Sequence, residues 1–346
     1  MKVDLFDFEL PEELVAQRPV EPREAARLLV VGDRLLDRRV GDLPELLEPG
    51  DLLVLNDSRV LPTRFWGRRG AVEVEATLVE PAAEDAWWAL ARPGRRLRPG
   101  DRVELGRDLV AEVAAKDAEG RVLLRFDRAG EELLAAIRAQ GAMPLPPYIR
   151  RPKGGDPRDL RDYQPIQARV EGSVAAPTAS LHLTEALLDR IAVRGVERAF
   201  VTLHVGLGTF APVKVEDTAE HRMHVEYGAI PAATAEAIER ARARGGRVVA
   251  IGTTVLRALE SRAREDGRVE PGNFATDLFV TPGFRFRVVD RLWTNFHLPR
   301  STLFMLVCAF SGLERMRAAY AHAIAERYRF FSYGDACLLD RREEAA

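Results

Sequence analysis

All six histidines of the chain lie between His182 and His322, and none occurs before them. Histidine is the side chain that gives or takes a proton near neutral pH. Three of the six, His182, His204 and His297, stand in apolar runs that lead into loops or helix starts. This clustering places proton chemistry in the second part of the chain and leaves scaffold or substrate grip to the first. His221-Arg222-Met223-His224-Val225-Glu226 also brings metal-ligand types close together. On a helix the two histidines share a face that Glu226 does not, and on a strand they face opposite ways. A polar or substrate-contacting segment is therefore the default there, ahead of a metal site. His322 is expected on a solvated helix face.

Those side chains need elements to carry them. In open α/β sheets, ligands collect at the carboxyl ends of strands, beside helix N-termini that offer unpaired N–H groups. Three segments have that form. Residues 201–205 open into Gly206-Leu207-Gly208-Thr209-Phe210, residues 248–252 into Thr253-Thr254, and residues 292–297 into Leu298-Pro299-Arg300-Ser301. Gly206 to Ala211 formally fits the dinucleotide fingerprint, but Pro212 and Val213 follow with no helix start. Nor is there a clean acidic strand end about 20 residues further on. A dinucleotide site is rejected, and an ordinary Rossmann-type methyltransferase is weakened by the same observation.

The surrounding pattern predicts an α/β fold: a mixed-sheet main domain with helices on both faces, plus an inserted small antiparallel β-barrel. Residues 1–61 and 150–346 form the main, catalytic domain and residues 62–149 the barrel. Val72, Val74, Ala76 and Leu78 alternate with Glu73, Glu75 and Thr77, the period of a half-exposed strand. Further short runs of this kind, split by Pro-Gly, Gly-Arg and Glu-Gly turns, extend the pattern to residue 128. The Pro-rich basic stretch 143–153 reads as a linker back to the main body. Elsewhere, helices are expected from residue 10 and over 131–140, 231–244, 254–264 and 313–328. Gly32-Asp33 marks a two-residue hairpin.

Composition narrows the function classes. Lys+Arg 51 against Asp+Glu 53 nearly cancels, so a nucleic-acid partner needs a local basic patch. Two stretches offer one: Arg92, Arg95, Arg96, Arg98 and Arg102, and the basic residues of 150–161. Cys308 and Cys337 are the only cysteines, which excludes an iron–sulfur site built on three or four local thiolates. The N-terminus lacks the apolar core of a signal peptide, and the apolar run 303–310 is too short to span a bilayer. A cytoplasmic, soluble protein is expected.

Several segments together resemble one family, the S-adenosylmethionine:tRNA ribosyltransferase-isomerases of queuosine biosynthesis. The strongest are Gly172-Ser173-Val174-Ala175-Ala176-Pro177-Thr178-Ala179-Ser180-Leu181-His182, residues 201–210, Thr294-Asn295-Phe296-His297-Leu298-Pro299 and residues 328–336. Leu55-Asn56-Asp57-Ser58-Arg59-Val60 and Met143-Pro144-Leu145-Pro146-Pro147-Tyr148 support them. The family usually has Gly at Ser180, Phe at Leu183, Ala at Leu207 and Arg at Ala211, and residues 163–167 differ as well.

The resemblance implies transfer and isomerisation of the ribosyl part of S-adenosylmethionine onto 7-aminomethyl-7-deazaguanine at the wobble position of tRNA. The products are epoxyqueuosine-tRNA, adenine and methionine. A proton leaves the carbon beside the sulfonium, adenine departs, the base amine joins the sugar, and ring closure expels methionine. S-adenosylmethionine is a co-substrate, and no external cofactor or metal is implied. The partner is a tRNA anticodon stem-loop carrying the aminomethyl base, met by a monomer. His204 and His297 are the favoured base and acid in either order, with His182 third. Asp57, Arg59, Thr209, Arg257, Tyr333 and Asp335 are candidate ligands for adenosine, methionine or the modified base. Tyr333 or Phe331 is a stacking platform or a core residue. The competing classes are an S-adenosylmethionine-dependent tRNA methyltransferase and a non-catalytic tRNA-binding protein.

Overall fold

The computed structural model of the chain describes residues 1–206 and 213–342. The chain divides into two compact units, one of Met1–Ser58, Pro165–Val170 and Ala176–Ala346, the other of Arg59–Gln164 and Glu171–Ala175. β1 (Arg27–Val31) and β2 (Leu35–Arg39) form a hairpin in which Val31 opposes Leu35. That register leaves three residues in the loop, where the sequence suggests two. The helix expected from residue 10 is a single 3-10 turn, Glu12–Leu14, because Val15 bridges to Phe330 and draws the chain out. A short helix, α1 (Leu43–Leu46), precedes β3 (Leu52–Asn56), which is buried at every position, and β4 (Ser58–Val60).

The second unit holds β5 (Arg64–Arg69), β6 (Val72–Ala83), β7 (Ala86–Arg92), β8 (Arg102–Leu105), β9 (Leu109–Lys116) and β10 (Val122–Phe126). They close into an antiparallel barrel in the order β10-β7-β6-β5-β8-β9. The period-two residues Val74, Ala76 and Leu78 face its core, joined by Leu133, Ala136 and Ile137 of α2 (Gly130–Gln140). Gly67 is required where β5 meets β8, since a Cβ there would lie 1.9 Å from the Glu104 carbonyl oxygen. The stretch 143–153 is more than a linker. Met143, Leu145 and Ile149 are buried, and Gln164 both donates to and accepts from the Val60 backbone. The unit accordingly extends beyond residues 62–149 and includes α3 (Asp159–Asp162). β4 and β11 (Val170–Ser173) pair as a separate two-stranded sheet.

The first unit continues with α4 (Glu185–Val193), whose N-terminus is capped by the Thr184 hydroxyl accepting from Leu187 N–H. There follow β12 (Glu197–Leu203), β13 (Glu226–Ile230), α5 (Ala232–Ala243), β14 (Val248–Ile251) and α6 (Thr253–Ser261). β15 (Gly272–Thr276), β16 (Arg291–Asn295), α7 (Thr302–Ser311), α8 (Leu313–Ala325) and β17 (Ala336–Asp340) complete it. α8 stops before residue 328 because Arg327 takes φ 54 and Tyr328 N–H bonds back to the Ala323 carbonyl.

Nine strands among the described residues form one sheet, ordered β15-β13-β12-β3-β14-β16-β17-β1-β2. β12, β3, β14 and β16 are parallel neighbours, while β17 runs antiparallel to β16 and parallel to β1. Successive strand residues face opposite sides. Leu53, Leu55, Val249, Ile251, Trp293 and Leu338 pack with Leu43, Leu187, Leu188 and Ile191 on one side. Their alternates Leu52, Val54, Val248, Ala250, Leu292 and Leu339 are equally buried, with α5, α6, α7 and α8 packed on the sheet. Helices therefore cover both faces, as the pattern predicts. Cys308 and Cys337 are free and buried, and burial pushes both thiols up. No helix among the described residues is long and apolar enough to cross a membrane.

Asp51 ties the starts of β3 and β14 together. Its Oδ1 accepts from Arg247 N–H (2.9 Å) and Nε (3.1 Å), and its Oδ2 from Glu48 N–H (2.9 Å) and Arg247 Nη2 (2.7 Å). Burial opposes its charge, but the bonds from Arg247 and Glu48 outweigh that and hold the carboxyl below its ordinary value. Asp51→Asn is expected to cost about 2–3 kcal/mol at pH 7, read by urea unfolding. The folded-state pKa lies below the unfolded one. The wild-type advantage therefore holds above the ordinary value of 3.8 and fades as pH falls through the folded value.

Candidate active site

Four parallel neighbours share one carboxyl edge, so the residues there converge: Asn56 closing β3 and Asp57 after it, His204 after β12, Gly252 and Thr253 after β14, and Asn295 closing β16 with Phe296 and His297 after it. β17 enters at the same edge, because Asn295 pairs with Ala336 in the antiparallel register. Phe331, Tyr333 and Asp335 precede it there.

Asn56 holds the β3 and β12 ends in line just where their ladder stops. Its Nδ2 donates to the Leu203 carbonyl (2.9 Å), and its Oδ1 accepts from Leu203 N–H (3.1 Å) and Ser58 N–H (3.0 Å). Asp57 is buried; its Oδ1 accepts from the Thr202 hydroxyl (2.7 Å) and its Oδ2 from Arg169 Nη2 (2.9 Å). His204 is half-buried, its backbone N–H bonded to the Tyr227 carbonyl at 2.9 Å. Its Nδ1 is buried with no hydrogen-bond partner among the described residues. Burial lowers the His204 pKa, and the Asp57 charge works against that. The result is a neutral imidazole at pH 7 with one ring nitrogen unengaged.

Arg257 on α6 secures the chain just after His204. Its Nη1 pairs with Glu226 Oε2 and its Nε donates to the Leu278 carbonyl (3.1 Å), while Nη2 is buried with no partner among the described residues. The other Glu226 oxygen accepts from Gly206 N–H (3.3 Å). With Glu226 so engaged, and the His221 ring set edge-on to Phe279 at 5.1 Å, the three residues of the possible metal cluster do not converge. Among the described residues no group of three His, Cys, Asp or Glu could hold a metal. Thr209 lies outside the described residues, as do Leu207 and Ala211.

Asn295 organises the other histidine group. Its Nδ2 lies 3.3 Å from His182 Nε2 and donates to the Phe331 carbonyl (3.2 Å), and its Oδ1 accepts from the Thr178 hydroxyl (3.1 Å). Burial, then the charges of Arg329 and Arg23, push the His182 pKa down to about 3. Burial alone pushes His297 down to about 3. His297 Nε2 lies 3.0 Å from the Thr294 hydroxyl, and its backbone N–H donates to the Tyr320 hydroxyl at 2.8 Å. Both imidazoles are neutral at pH 7 and hydrogen-bonded into the core.

Several expectations need correction. Asp335 has both oxygens engaged by backbone, Oδ1 accepting from Arg27 N–H (2.9 Å) and Oδ2 from Arg329 N–H (2.8 Å), so it clamps the entry of β17. Tyr333 and Phe331 are buried, which favours core packing over an open stacking platform. Tyr333 does line a water-sized cavity with His182, Arg23 and Ser332. Arg59 belongs to the second unit, where its Nε lies 3.9 Å from Glu171. His322 is not simply solvated: its Nε2 lies 3.1 Å from both Asp37 oxygens. Of the family departures, Ser180 is fully buried with a hydroxyl that has no partner among the described residues, and Leu183 is buried. Sequence reasoning missed Asn295, Thr202 and Glu226 as the groups that hold the site residues. The Asn between Thr294 and His297 was the available signal.

The family model described as "Queuosine biosynthesis protein" matches residues 3–339. The chain is 58% identical over 345 residues to a Rhodospirillum rubrum protein named S-adenosylmethionine:tRNA ribosyltransferase-isomerase, covering 99% of each chain. A Mesorhizobium japonicum protein of the same name is 57% identical over 357 residues, again at 99% of each. The crystal structure of S-adenosylmethionine tRNA ribosyltransferase from Thermotoga maritima is similar at a TM-score of 0.55 and 38% identity, covering 96% of this chain and 99% of that one.

The buried Arg257–Glu226 pair makes the site's architecture testable. Removing the carboxylate strands a buried guanidinium, so Glu226→Ala is expected to cost about 3–5 kcal/mol in denaturant unfolding. Glu226→Gln, whose single carboxamide oxygen can accept from Arg257 or from Gly206 but not from both, is expected to lose less than Glu226→Ala.

Proposed function

The chain belongs to the queuosine biosynthesis protein family, and from that membership we propose its reaction in detail. It is a transferase that moves and isomerises the ribosyl part of S-adenosylmethionine onto tRNA. The acceptor is 7-aminomethyl-7-deazaguanine at the wobble position of the anticodon stem-loop, and the products are epoxyqueuosine-tRNA, adenine and methionine. The protein works in the cytoplasm as a monomer, with S-adenosylmethionine as co-substrate. Near-full-length similarity to relatives of that name carries this reading. The methyltransferase and the non-catalytic binder have no comparable support.

The site's electrostatics favour a division of labour among the histidines. The reaction opens with removal of a proton beside the sulfonium. His204 suits that step, being half-buried with Nδ1 unengaged and Asp57 nearby to stabilise its charged form. The proton it takes is then available to the departing adenine, so one imidazole serves as base and acid in turn. His182 and His297, held neutral by burial, orient polar substrate groups and stay uncharged. The orphaned Nη2 of Arg257 suits a carboxylate such as that of the methionine moiety. Asp57 acts through His204, and Thr209 remains a candidate ligand.

The decisive assay mixes the protein with S-adenosylmethionine and tRNA bearing the aminomethyl base, then identifies the small products. Free adenine and methionine are expected; S-adenosylhomocysteine, or no product, overturns the reading. His204→Ala is expected to lower kcat about 10²-fold or more with an unchanged unfolding midpoint. An effect confined to stability removes its proton role. Because the working form is neutral and its pKa is depressed, the acid limb of kcat/KM for wild type should have its midpoint below the ordinary imidazole value of 6.5.

A further inference from the structure

β13 presents one large ring to solvent. Tyr227 is 64% exposed, whereas Glu226 beside it on the strand is buried against Arg257. The β12–β13 register pairs Thr202 with Ala229 and Leu203 with Gly228, and the bond from His204 N–H to the Tyr227 carbonyl extends it by one residue. Directly opposed residues of an antiparallel pair stand on the same face. His204 and Tyr227 are therefore lateral neighbours on one side of the sheet.

The surroundings of that ring are flat. Ala275 opposes Tyr227 on the β15 side, and Ala229 is the next β13 residue on the same face. Neither side chain rises far enough to cover the ring. On β12 the same face carries Arg198, Phe200 and Thr202 in alternation before His204. The Arg169 guanidinium lies 4.6 Å above the Phe200 ring, and its side chain is 63% exposed. Arg198 and Arg222 are exposed as well. One exposed aromatic ring flanked by two alanines, on a face that also carries Arg198 and has Arg169 over Phe200, fits a phosphodiester chain with a single base laid flat. Guanidinium groups position phosphates, and unstacked bases of single-stranded RNA loops settle on aromatic faces.

We propose that Tyr227 is the platform on which a nucleobase of the tRNA substrate stacks beside His204. The proposal rests on the tRNA-modifying function stated above and supplies the stacking surface that the buried Tyr333 and Phe331 do not. The ring would hold a purine-like plane within reach of the imidazole, with Arg169 and Arg198 on the adjoining backbone.

The test compares Tyr227→Ala, Tyr227→Phe and Tyr227→Trp with wild type, using tRNA bearing the aminomethyl base. Adenine release gives separate KM values for tRNA and S-adenosylmethionine, and fluorescence anisotropy gives equilibrium tRNA binding. Loss of one stacking contact predicts about a 10-fold rise in the tRNA KM and Kd for Tyr227→Ala. Phe and Trp should restore both, with the S-adenosylmethionine KM and the unfolding midpoint unchanged. Unaltered tRNA binding by the alanine variant overturns the platform. So does a rise confined to the S-adenosylmethionine KM, which would assign the ring to the co-substrate's adenine. If wild type binds tRNA, Tyr227→Ala weakens that binding and no adenine is released by either, the platform stands and the assigned reaction falls.

Discussion

The alignment of four parallel strand ends is the constraint on which the site depends, and at the ends of β3 and β12 one carboxamide maintains it. Parallel ladders do not enforce a common finish, since each strand is free to run on into its own loop. Asn56 supplies what the backbone cannot, donating to and accepting from Leu203 while also taking Ser58 N–H. With β3 and β12 locked at that level, Asp57 and Thr202 come within 2.7 Å. Asn295 does the equivalent work at the end of β16, gathering Thr178, His182 and Phe331. Two carboxamides, uncharged and so unaffected by pH, carry the geometry of a site whose chemistry depends on protons.

Burial then divides three similar side chains into two kinds. His182 and His297 sit in the core, where desolvation removes the charged form from play near neutrality. His204 stands where β12 gives way to a loop, and Asp57 lies near enough to oppose part of the desolvation. The difference comes from the depth at which each ring sits and not from residue type.

Much of this was legible in the chain. The apolar runs ending in small, hydroxyl or imidazole residues located the sheet edge, and alternation in residues 72–78 announced the barrel. Local pattern was weaker where tertiary contacts decide the outcome. The Pro-rich stretch 143–153 looked like a linker because its apolar residues have no period, yet Met143, Leu145 and Ile149 are buried. Asp335 stood as a candidate ligand through the family resemblance, and its hydrogen-bond partners are the backbone N–H groups of Arg27 and Arg329. Arg27 is some 300 residues away, and nothing short-range encodes that pairing. Tyr227 escaped notice because Gly228 and Ala229 blur the alternation that would have shown β13.

The position of β17 has a consequence for how the molecule is made. β1 pairs only with β2 and β17, and β17 is what joins that hairpin to β16. The hairpin formed from residues 27–39 thus leaves the ribosome early but has no sheet to join until residues 336–340 have emerged. Until then its apolar face, with Leu28 and Val30, is exposed to whatever else the nascent chain presents. Such widely separated pairing is slow to form and prone to wrong partners. The five residues Ala336–Asp340 act as a keystone: without them the β1–β2 hairpin and the strands from β15 through β16 would be two separate sheets.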